Sequence, residues 1–120
     1  MKRDMDLIRL ILLEIEEEYK STAIYNLSVD GYDKETVAYH CKILHEAGFI
    51  SDYKAIYANN RLCDFGIGSL TWEGNNYLDK IRDASTWGKI KAFLTEKGAP
   101  ILIETVTTAA NTLIAKAIGG

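Results

Sequence analysis

Cations are in short supply: 14 Lys and Arg face 17 Asp and Glu, for a net charge of −3 over 120 residues. Indiscriminate electrostatic capture of nucleic acid needs a surplus of Lys and Arg, so that mode is excluded. Cysteine occurs only twice, at 41 and 63. That is too few for a secreted disulfide framework. Proline occurs once, and no repeat, low-complexity stretch or inter-domain linker is visible. Long apolar runs are also missing. Asp4 and Asp6 follow Met1-Lys2-Arg3 at once, Arg9 breaks the next run and Glu14 ends it, so a signal peptide is not expected. The stretch from Pro100 to Ile118 carries Glu104, Asn111, Lys116 and several threonines, and reads as amphipathic rather than spanning. A cytoplasmic protein with reduced thiols and no membrane partner is expected. What is present, 48% hydrophobic and 26% charged residues, is ordinary for one globular domain of this length.

Periodicity divides the chain. Ile8, Ile11, Leu12, Ile15 and Tyr19 fall on one helical face within 4–18, and Leu7, Leu10 and Leu13 add a second. A helix apolar on most sides belongs at the centre of a fold. Alternation over 23–29 predicts a strand, with Tyr25, Leu27 and Val29 on one side, before a turn at Asp30-Gly31. Val37, Cys41 and Leu44 define a helix over 33–47, with Asp33 as N-cap and Gly48 just past its end. Strands over 50–57 and 65–71 form a hairpin reversed near Asn59-Asn60. Thr71 caps a helix over 72–83 with Tyr77, Leu78 and Ile81 inward; another over 85–97 carries Trp87, Ile90 and Leu94. Pro100 suits the first turn of a last helix.

Residues 37–50, VAYHCKILHEAGFI, resemble the recognition helix of winged-helix repressors of the arsenical-resistance-regulator type. Those carry V-x-x-H-L-K-x-L-x-x-A-G-L-[IV]. Val37, His40, Lys42, Leu44, Ala47, Gly48 and Ile50 match, while Cys41 and Phe49 replace Leu. LTWEGNNYLDKI at 70–81 is similar to the L-T-x-x-G-x-x-[FY]-L segment that closes the wing. MKRDMDLIRLILLEIEE, GYDKETVAYHCKILHEAGFI and LTWEGNNYLDKIRDASTW together resemble an uncharacterised phage and prophage family whose members open MKRDMDLIR. The resemblance implies an α+β fold: a winged helix-turn-helix-like core over 1–71 and a C-terminal helical extension over 72–120, within a single domain. Only Lys20–Tyr32 separates the first helix from the recognition-like helix, so the usual second helix is truncated.

The function so implied is a non-catalytic, DNA-binding regulator of a mobile element. With Val37, Cys41 and Leu44 inward, Glu35, Ala38, Tyr39 and Lys42 face a groove at i, i+3, i+4, i+7. Lys34 lies near the helix start, where the dipole favours phosphate. Arg61 is the wing residue for a minor groove, supported by Lys54. Charge argues the other way: 33–47 holds two lysines against three acids, and 51–70 is balanced. The alternative is a protein-interaction adaptor without DNA binding. Leu102, Val106, Ala109, Ala110, Leu113 and Ala117 form a stripe wide enough to close the core or to pair with a partner protein or second subunit.

Catalysis and cofactors are not expected. Neither His40 nor His45 has an activated Ser or Cys beside it. Cys41 and His45 at i, i+4, with Cys63, are the only soft-metal set, and their spacing lacks a matching second pair. Cys41 reads as a small core residue and His40 as a polar residue on the helix surface. Trp72 and Trp87 read as core or interface packing.

Overall fold

A computed structural model describes residues 1–119. The fold is α+β. Among the described residues it contains α1 (Met5–Glu18), β1 (Ile24–Tyr25), α2 (Lys34–Glu46), β2 (Tyr53–Ala58), β3 (Arg61–Ile67), α3 (Trp72–Ile81), α4 (Ala84–Glu96) and α5 (Ile103–Gly119). The strands form one antiparallel sheet in the order β1-β3-β2. The chain separates into two compact units, Met1–Asn76 and the residues from Tyr77 onward.

In the first unit α1 packs on α2. Both apolar faces of α1 are used: Leu7, Ile8, Ile11, Leu12 and Ile15 are all buried. Val37, Cys41 and Leu44 of α2 are buried as their spacing predicts, and Phe65 and Ile67 bury one face of β3. Asp4 caps α1, accepting from the Leu7 N–H, and Asp33 caps α2, accepting from the Thr36 N–H at 2.7 Å. The end of α2 is a Schellman turn: Gly48, at φ +83°, donates to His45, and Phe49 donates to Leu44.

The strand expected over 23–29 is only two residues long. Asn26 adopts φ +53° and ends it. Its side chain then continues the ladder, accepting from the Phe65 N–H while its backbone N–H donates to the Phe65 carbonyl. Leu27 and Val29 are buried, but Tyr25 is 73% exposed, so the expected alternation fails at that kink. The hairpin is tighter than its pattern suggests, with strands at 53–58 and 61–67 instead of 50–57 and 65–71, and only an isolated bridge between Ile50 and Leu70. Asn59 and Asn60, both at positive φ, make a two-residue turn, and β3 starts at Arg61 instead of 65. Between Glu18 and Lys34 the described residues contain no helix.

The Thr71 hydroxyl accepts from the Gly74 N–H and donates to the Gly48 carbonyl, which ties the start of α3 to the end of α2. In the second unit α4 packs on α5. Trp87, Ile90, Leu94, Val106, Ala109 and Ala110 are buried there. Pro100 lies before α5 instead of in its first turn. The Thr105 hydroxyl bridges the Pro100 and Leu102 carbonyls ahead of that helix.

Two glycine replacements separate close approach from propensity. A Cβ at Gly74 would collide with the Phe49 carbonyl oxygen, whereas one at Gly88 meets nothing within 4 Å. In urea denaturation, Gly74→Ala is expected to lose about 1–3 kcal/mol through overpacking against backbone. Gly88→Ala is expected to gain about 0.5–1 kcal/mol from helix propensity alone.

Candidate nucleic-acid interface

The rotation of α2 decides which residues it presents. His40 is buried, contrary to its expected place on the surface. Its Nε2 accepts from the Asp4 N–H at 2.8 Å, and its Nδ1 lies 2.8 Å from the Thr36 carbonyl. A backbone N–H can only donate and a carbonyl only accept, so the ring is the neutral Nδ1–H tautomer. The Asp4 carboxylate meanwhile accepts from the Leu7 N–H and from the Tyr32 hydroxyl. Burial and the Asp4 carboxylate raise the Tyr32 phenol above its ordinary range. With His40 inward, Glu35 and Lys42 are exposed and Tyr39 is half-buried.

The hairpin supplies the facing wall. Register shifts between Ile56↔Asp64 and Tyr57↔Leu62, which leaves Cys63 as an extra residue in β3. The bulge moves Leu62 onto the face of β2 that carries Tyr53 and Tyr57. Lys34 donates to the carbonyl of the bulged Cys63, and its ammonium lies 3.7 Å from Asp64. The result is a groove of about 220 Å³ lined by Met1, Glu35, Ala38, Tyr39, Lys42, Tyr53, Tyr57, Asn60 and Leu62. Tyr53 leans on Phe65, with ring centroids 6.3 Å apart. Burial, then the neighbouring Tyr57 and Cys41, push its phenol up to about 12.

Four of the expected interface residues therefore share one groove: Glu35, Ala38, Tyr39 and Lys42. Ala38 belongs to its buried lining instead of being an exposed contact, because the hairpin covers that side of α2. Lys34 is engaged with the hairpin and is not presented at the helix start. Lys54 belongs to the other face of the sheet, in a depression with Tyr25, Ile56 and Gly66. Arg61 is exposed immediately after the turn. The aromatic wall of Tyr53 and Tyr57 was not among the sequence candidates. Their i, i+4 spacing in a strand places them on one face and was the available signal.

The C-terminal stripe divides. Val106, Ala109 and Ala110 are buried within the chain, Leu102 and Leu113 are half-buried, and Ala117 is exposed. Val106, Ala109 and Ala110 are thus packed within this chain. Trp87 is buried, but Trp72 is 78% exposed and is not a core residue. Cys41 is buried, and burial pushes its thiol up to about 12; Cys63 is exposed on the bulge. No helix among the described residues is long and apolar enough to cross a membrane.

Two stability measurements follow. His40→Ala removes the acceptor of the Asp4 N–H, and is expected to cost about 1–3 kcal/mol in urea denaturation. In the folded chain the Cys41 thiol is raised from an ordinary 9.0, and the Tyr53 phenol from 10.0, each to about 12. Between those limits the unfolded chain releases protons that the folded chain retains, so stability falls as pH rises. The urea midpoint is expected to drop from about pH 9 upward, and more shallowly in Cys41→Ala.

Comparison with known proteins places this chain in a family. An uncharacterised protein of Haemophilus influenzae (strain ATCC 51907 / DSM 11121 / KW20 / Rd) is 36% identical over 121 residues, covering 97% of this chain and 98% of the relative. No solved structure matches. A family model described as "Hypothetical protein (DUF2513)" matches residues 2–100, from the residues before α1 through α4, and the chain belongs to that family.

Proposed function

We propose that this protein is a small winged-helix regulator of a mobile element that contacts duplex DNA and catalyses no reaction. The observation that carries this reading is the shared groove: Tyr39 and Lys42 of α2 stand beside a hairpin whose turn is followed by the exposed Arg61. The order α1-β1-α2-β2-β3 with the sheet order β1-β3-β2 supports it, since winged-helix domains set a wing beside the recognition helix, the place α2 takes here. In this reading α2 enters the major groove, Lys42 reaches a phosphate or a guanine edge, and Arg61 takes the minor groove. A helix that normally crosses the phosphate backbone is missing between α1 and α2, so α2 and the hairpin must supply the positioning contacts. The mobile-element context rests on the likeness to the phage and prophage family with the same opening.

A protein-binding adaptor is the second reading. Trp72, Tyr25 and Ile56 favour it, being 78%, 73% and 63% exposed and outside the α2 groove. Anisotropy of a labelled random-sequence duplex across a salt series separates the two. For the DNA reading, affinity is expected to weaken linearly in log salt, with a slope of about −0.9 per phosphate contact. Replacing both Tyr39 and Lys42 with Glu is expected to abolish binding. Affinity that survives both changes, or a folded protein that binds no duplex at low salt, sinks this reading.

A further inference from the structure

We propose that the groove between α2 and the hairpin receives a single unpaired nucleobase, preferring one with an exocyclic amine, stacked against Tyr39 and Tyr57. The inference rests on the reading of this groove as a nucleic-acid contact and departs from it in one respect, the base being unpaired. Size comes first. At about 220 Å³ the groove is smaller than the roughly 300 Å³ at which small-molecule sites begin. It suits one ring system rather than a whole cofactor.

The lining supplies the chemistry. Three of the seven tyrosines of the chain converge here, two from one face of β2 and one from α2. Phenol rings stack on bases of any sequence, because every base has a π-face. Tyr57 is 63% exposed, so its ring is accessible from solvent. Charge then orders the ligand. Glu35 is in the lining, and a carboxylate there repels a phosphate but accepts from the amine of cytosine or adenine. The Asn60 amide can both donate and accept, which suits the adenine edge. Lys42 is the one cationic side chain in the lining, and Arg61 follows Asn60 in the chain. The base enters the groove and its phosphates stay outside, against these two cations. A paired and stacked base has no free face to offer, so the occupant is a single-stranded or flipped nucleotide. A chain of net charge −3 is consistent with affinity drawn from stacking more than from counterion release.

The test is fluorescence anisotropy with labelled oligo(dC), oligo(dA) and oligo(dT), and with a mixed duplex of equal length. Oligo(dC) and oligo(dA) are expected to bind more tightly than oligo(dT) or the duplex. Tyr57→Ala is expected to weaken oligo(dC) binding by about tenfold, and Tyr57→Phe, which keeps the ring, by less than about twofold. Glu35→Gln is expected to remove the preference for oligo(dC) over oligo(dT). Circular dichroism of each variant confirms that the comparison is between folded proteins. Tyr57→Ala binding oligo(dC) like the unaltered protein overturns the base site, and a duplex preferred over every single strand overturns it while leaving the duplex reading standing. Binding of neither form overturns both.

Discussion

The His40 imidazole is the constraint from which the arrangement of the first unit follows. It is the one buried polar side chain among the described residues. Both ring nitrogens are committed, one to the Asp4 N–H and the other to the Thr36 carbonyl. Each such bond contributes about 0.5–1.5 kcal/mol net, but an unpartnered buried group costs about 1–3 kcal/mol. The asymmetry means that α1 and α2 can pack only in the rotation that satisfies the ring. Asp4 extends the constraint, because the same residue caps α1 and accepts from Tyr32 in the loop that leads into α2. One polar cluster therefore fixes where α1 begins, how α2 is rolled and where the intervening loop sits.

The second constraint is the bulge at Cys63. Without it Leu62 would lie on the face of the sheet that carries Ile56 and Asp64, and the groove would lose one of its apolar walls. A bulge breaks the ladder locally, and the Cys63 carbonyl accepts from Lys34 of α2 instead. Asn26, just past β1, has a similar role toward β3, meeting both backbone groups of Phe65 and donating to Asp64. These polar contacts also occupy the β1 side of β3 where β1 stops short. An open strand edge at that point would invite pairing with another chain.

Much of this was legible locally. Helix phases, the Asp33 and Thr71 caps, the Gly48 stop and the Asn59-Asn60 turn each depend on a few neighbouring residues, and the structure has all of them. His40 was misplaced although its position was readable. It lies three residues after Val37 and four before Leu44, on the buried face, and only its polarity argued for solvent. The kink at Asn26 had a signal in the tolerance of Asn for the left-handed region. The bulge had none, because register is decided between strands and leaves no mark in either one alone. Lys34 followed from the bulge: a cation at a helix start looks free for phosphate until its acceptor comes from 29 residues away.

That loss of Lys34 bears on how the groove works. The sequence already lacked a basic surplus, and the fold commits one of the few cations near α2 to holding the hairpin. Lys42 remains in the lining, offset there by Glu35. A surface with balanced charge has weak long-range attraction for a polyanion, since screening removes most of it beyond about 8 Å at physiological salt. Under the proposed reading, affinity must then arise at contact, from the tyrosine rings, the shape of the groove and short-range contacts of Lys42 and Arg61. The bulge that consumes the lysine is the same feature that turns Leu62 onto the face of the two tyrosines. Electrostatic reach and a tyrosine-walled groove are in this sense alternatives, and the β3 register selects the second.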